Sequence, residues 1–105
     1  MFRYVVTATF TDPAVAERWL AWMRDGHLQD VLDAGAQSGE AIRLDGEPLT
    51  LEAHFRFADR AAFEAYERDG APRLRAEGLE LFPPEAGVTY RRRTGEVAVR
   101  GGGPD

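Results

Sequence analysis

The chain has 105 residues, with 18 acidic and 13 basic side chains and a net charge of −5. It has no cysteine and every base is arginine, so disulfides, thiolate metal sites and thiol nucleophiles drop out. The only basic run, Arg91-Arg92-Arg93, is too short to suit a nucleic-acid backbone, and no apolar run nears the ~20 residues that cross a bilayer.

Met1 leads into an alternating segment rather than a basic-then-apolar leader, so the expected compartment is the cytoplasm. Phe2, Tyr4, Val6, Ala8 and Phe10 are apolar at every second position, which predicts a half-buried strand over 2–11. Asp12-Pro13 is a helix start: the carboxylate accepts from unpaired backbone N–H groups, and proline suits the first helical position. Val15, Trp19, Trp22 and Met23 then form one apolar stripe. Leu28, Val31 and Leu32 also fall at helical spacing, but roughly half a turn away, so a straight helix could not bury both sets. A break or sharp bend is expected at Asp25-Gly26-His27, with Gly35 ending the second leg.

A strand follows over 36–44 with Ile42 and Leu44 expected inward, and Asp45-Gly46 reads as a two-residue hairpin. The return strand, 48–57, alternates Leu49, Leu51, Ala53, Phe55 and Phe57 with Thr50, Glu52, His54 and Arg56, and Pro48 suits its first position. Asp59 caps a second helix that turns Ala62, Phe63 and Tyr66 inward. Asp69-Gly70-Ala71-Pro72 interrupts it, and its second leg, Leu74 to Phe82, stops at Pro83-Pro84. The last strand is expected over 87–94 and a disordered tail over Gly101 to Asp105.

The stretches Trp19–Gly26 and Phe63–Gly70 echo each other, with Ala, Arg, Asp and Gly identical at 21/65, 24/68, 25/69 and 26/70. That self-similarity suggests a duplicated β–bent-helix–β unit. The resulting order, βαββαβ, defines an α+β, ferredoxin-like fold with one four-stranded antiparallel sheet and helices on one face. A single domain over 1–95 would carry an irregular tail over 96–105. The uncovered sheet face would hold Val5, Thr7, Thr9, Glu52, His54, Arg56 and Arg43. An RNA-recognition domain shares this topology but needs exposed aromatics on the central strands, and alternation here sends them under the helices.

Trp19-x-x-Trp22-Met23-x-x-x-His27-Leu28-x-Asp30-Val31-Leu32, with Tyr66-x-x-x-x-Ala71-Pro72-x-Leu74-Arg75, Phe82 and Tyr90-Arg91, resembles the bacterial family known as domain of unknown function 4286. The likeness covers roughly residues 2–94. It implies a dimeric α/β-barrel type of domain, in which two sheets face each other across a two-fold axis. It implies no activity, cofactor or catalytic residue. Gly78, inside the last helical leg, and the Gly-Gly-Gly-Pro-Asp terminus depart from the pattern.

Two histidines are the candidate catalytic groups. His27, beside the helix bend, either hydrogen-bonds backbone groups freed there or is aimed into a cleft as a base or ligand. His54 projects with Glu52 and Arg56, a set suited to acid–base work on a small anion or to an ion-pair network across a dimer. Arg43, Glu52, His54 and Arg56 are therefore the expected ligand-binding set. No histidine pair has metal-ligand spacing and no glycine-rich loop joins a strand to a helix, so neither a metal site nor a cofactor is expected. Trp19, Trp22, Phe63 and Tyr66 read as core rather than as a ligand box. The expected protein is a homodimer joined through the open sheet face, a non-catalytic ligand-binding or accessory module. The alternative is a small enzyme of monooxygenase or isomerase type that uses His27 or His54.

Overall fold

The computed structural model describes residues 1–102. Strand β1 (Phe2–Phe10) leads to α1 (Pro13–Trp22), a π-helical turn (Met23–His27) and α2 (Leu28–Asp33). Strands β2 (Ser38–Arg43) and β3 (Thr50–Phe57) follow, then α3 (Arg60–Asp69), α4 (Ala71–Leu81), a 3-10 turn (Pro84–Ala86) and β4 (Val88–Glu96). The sheet order is β2-β3-β1-β4, antiparallel throughout, and the helices cover one face. The fold is thus the α+β ferredoxin-like one. Of the expected tail, residues 103–105 lie outside the described residues.

Strict alternation builds the core. β1 buries every second side chain from Phe2 to Phe10, and β3 does the same from Leu51 to Phe57. Trp19, Val31, Phe63, Tyr66 and Leu74 cover them from the helices. Both helix starts are capped as expected: Asp12 accepts from the Ala14 amide at 2.9 Å and Asp59 from the Ala62 amide at 2.8 Å.

The sharp bend expected at Asp25-Gly26-His27 is present, and two other local expectations are corrected. The Leu28 amide bonds back to the Met23 carbonyl, and this wider turn rephases α2 so that Val31 is buried with Trp19. The backbone departs from helical geometry at Gly26 within it, and Gly35 ends α2 with φ of 138°.

The β2 phase is opposite to that expected. Ala41 pairs with Ala53 and Arg43 with Leu51, so Gly39, Ala41 and Arg43 point to the helix side. Ile42, paired with Glu52, lies on the open face, and Leu44 is exposed. The reason is space. A Cβ on Gly39 would stand 2.8 Å from the Phe55 ring, so this edge strand presents its smallest residues where β3 is bulkiest.

The second correction is the hairpin. Leu44 closes on Thr50 through its amide, so residues 45–49 form the connection and Pro48 sits in it, after a cis peptide from Glu47. β4, for its part, runs to Glu96 because pairing with β1 continues to Phe2, and Glu96 there accepts from Arg60 at 3.0 Å.

Candidate functional site

A cavity of about 40 Å³ lies between the helical layer and the sheet. β1 supplies Tyr4 and Val6, and α1 with its π-helical turn supplies Trp19, Trp22, Met23 and His27. α3 adds Tyr66, α4 adds Leu74, Arg75, Gly78 and Leu79, β3 adds Phe55, and β4 adds Tyr90 and Arg92. Its walls are mostly aromatic and aliphatic, with a few nitrogens among them, which is the usual composition of a small-molecule site.

His27 belongs to this cavity. Its ring stacks on Trp22 with centroids 3.9 Å apart and planes 19° from parallel. Burial lowers its pKa from 6.5 to about 4, against a weaker opposing pull from Asp30, so the imidazole is neutral near pH 7. The hydrogen bond expected toward freed backbone is not what holds it, because Nδ1 is buried without a partner and the stack fixes the ring instead. The Trp22 indole reaches this position because Gly78 has no side chain; a Cβ there would lie 3.2 Å from its Cη2. Gly78, the departure from the family pattern, thus serves the cavity wall.

Arg75 closes another side. It donates to the Tyr4 hydroxyl at 3.1 Å, its guanidinium lies 5.9 Å from the Tyr4 ring centroid, and it pairs with Glu67. Burial raises the Tyr66 phenol to about 12, so it is a neutral donor or acceptor. Tyr90 donates to the Phe82 carbonyl at 3.4 Å, and Arg92 lies over its ring at 5.6 Å.

The open sheet face holds the second group. The Glu52 carboxylate accepts from the Thr7 hydroxyl at 2.8 Å and from His54 Nε2 at 2.9 Å, with Arg93 at 3.6 Å. These contacts, the His54 hydrogen bond above all, hold Glu52 below the usual carboxylate range. Arg56 projects on the same face two residues along, where a groove of about 580 Å³ runs past Arg3, Val5, Ser38, Glu40, His54 and Arg56. Arg43 does not join them. It lies on the opposite face and pairs with Glu17 of α1 at 2.8 Å, because the β2 register differs from that expected. No cluster of three histidine or carboxylate groups that could hold a metal ion occurs among the described residues.

Sequence reasoning placed Tyr4, Trp19, Trp22 and Tyr66 in the core and gave Arg75, Tyr90 and Arg92 no place in a site. A usable signal was present. Arg75, Gly78 and Leu79 share one face of α4 at spacings of three and four, so a charge and a gap stand where an amphipathic helix packs apolar bulk.

A four-stranded antiparallel sheet with paired helices on one side and a cavity between the layers defines a ferredoxin-like protein. The chain belongs to the family described as domain of unknown function (DUF4286), whose model matches residues 1–94. No curated protein matches the sequence. Among solved structures it is similar to a dimeric ferredoxin-like protein from an uncultured marine organism, with TM-score 0.70 and 17% identity over 94% of this chain and 96% of that one. A Streptomyces coelicolor monooxygenase in complex with nanaomycin D gives TM-score 0.65 and 17% identity over 96% and 92%. SnoaB, a cofactor-independent oxygenase from Streptomyces nogalater, gives 0.63 and 17% over 94% and 95%. At such identities the shared property is the fold.

Proposed function

We propose that this is a cytoplasmic, homodimeric binding protein. Two open sheet faces pair around Glu52, His54 and Arg56, and each protomer takes a small molecule into the cavity between helices and sheet. The carrying observation is the aromatic-walled cavity with a neutral His27 in it. An imidazole with a pKa of about 4 is a weak base near pH 7, suited to accepting or donating a hydrogen bond rather than to removing protons. Binding without proton transfer fits that better than turnover does. Dimerisation is supported by the open face, whose Glu52–His54–Thr7 cluster is already satisfied internally and so needs no charge from the partner.

The test uses the two tryptophans, both of which line the cavity. Their indole N–H resonances in the labelled protein should shift together, and saturably, with some members of a small aromatic fragment set. Indole signals unmoved across the whole set would remove the binding reading.

The second reading is a small oxygenase or isomerase using His27 or His54. It is favoured by the overlap in fold with the Streptomyces oxygenases. Fragment-dependent oxygen consumption that disappears in His27→Ala would promote it over the first.

A further inference from the structure

Strand pairing arranges the open sheet face in rows, and one row carries two like charges side by side. Ser38 of β2 pairs with Arg56 of β3, which pairs in turn with Arg3 of β1. Both arginines are half-buried, and like charges directly opposite each other destabilise a sheet. Glu40 stands opposite His54 in the next row, while Glu52 lies two rows away and is engaged by Thr7, His54 and Arg93. Over all its rows the face bears Arg3, Arg56, Arg91 and Arg93 against Glu40 and Glu52. It is thus a positive surface on a chain whose net charge is −5.

This sign matters for a dimer joined by that face. A two-fold interface meets the same patch on its partner, so it doubles a charge instead of complementing it. Closing the interface also strips water from the guanidiniums. The groove of about 580 Å³ runs past this arginine pair, with Val5, Ser38 and His54 also on its walls. It therefore offers two planar, permanently charged donors and a hydroxyl, the groups that grip oxyanions in bidentate geometry. We infer that the groove binds a doubly charged oxyanion, a phosphate or a phosphomonoester, at Arg3 and Arg56, and that the face-to-face dimer closes over it. The inference rests on the dimer reading above and adds what neutralises its interface. A monoanion suits the site less, since each protomer brings two guanidiniums to the row.

The experiment is sedimentation equilibrium of the full-length protein with inorganic phosphate exchanged for chloride at fixed ionic strength, which separates specific binding from screening. The dimer should tighten at least tenfold in phosphate. The Arg3 and Arg56 Nε–H signals of the labelled protein should shift saturably over the same concentrations. Arg3→Gln and Arg56→Gln each remove one of the like charges. Both variants should dimerise more tightly than wild type in chloride and lose the response to phosphate. Phenyl phosphate in a parallel series tells an ester from the free ion by which of the two acts at the lower concentration. Equal dimer affinity in chloride and phosphate overturns the inference and leaves the dimer reading standing. So does a phosphate response that survives in both variants. A monomer in both buffers overturns the dimer reading itself, and this inference with it.

Discussion

His27 is neutral because of where the π-helical turn puts it, and this has a consequence for stability. Its pKa is lowered from 6.5 to about 4 in the folded chain, so between those values the unfolded chain binds a proton that the native chain refuses. Stability from this group is therefore complete above about pH 6.5 and declines as pH falls toward 4. At about 1.4 kcal/mol per pH unit the full loss is of order 3 kcal/mol. His27→Phe keeps the stack on Trp22 but cannot titrate. In urea unfolding at about pH 7.5 and about pH 4.5, the wild type should lose roughly 2–3 kcal/mol more than the variant. Parallel losses would mean that the imidazole is not sequestered.

At the scale of elements, the two halves of the chain repeat a pattern for different reasons. Gly26 and Gly70 occupy equivalent places in the echo. A Cβ at Gly26 would meet nothing within 4 Å, whereas one at Gly70 would stand 2.8 Å from Ala34 Cβ. The first interruption is a helical turn with one residue too many; the second lets the end of α2 come close to the junction of α3 and α4. β2 shows how little a short edge strand reveals of its own phase. Ser38–Arg43 carries one large apolar residue, Ile42, and the strongest constraint on it is the absence of a side chain at Gly39. Gly39→Ala should therefore destabilise by about 1–3 kcal/mol in chemical unfolding, as overpacking against the Phe55 ring. A neutral effect would indicate that β2 stands off from Phe55.

For the whole molecule, the paired-sheet dimer can be tested at Ile42, which is half-buried on the open face opposite Glu52. Ile42→Glu places a second carboxylate beside Glu52, where a partner sheet would strip both of water. Sedimentation equilibrium should show the dimer weakened by at least tenfold, while the unfolding midpoint of the monomer stays within about 0.5 kcal/mol of wild type. An unchanged dimer would place the interface elsewhere, for instance along the free edges of β2 and β4. No described helix is long and apolar enough to cross a membrane.

The features legible in the residues were those set by short-range periodicity and local chemistry. Alternation in β1 and β3, the Asp12 and Asp59 caps and the proline stop after α4 each follow from neighbours a few positions apart, so order, layer and open face could be read in advance. Three outcomes depended on partners far along the chain. The two helical stripes were reconciled by a widened turn, because a core on one side demanded both Trp19 and Val31. Arg43 went to the helix side of the sheet, where it stays exposed and pairs with Glu17, because β3 dictated the β2 register, leaving Glu52, His54 and Arg56 on the other side. The cavity itself needed six segments to converge, β1, α1 with its π-helical turn, β3, α3, α4 and β4, since Tyr4, His27, Arg75 and Tyr90 acquire a common environment only when the helices close over the sheet. Periodicity sorts side chains onto faces; which of them meet across a layer is set by the packing of whole elements.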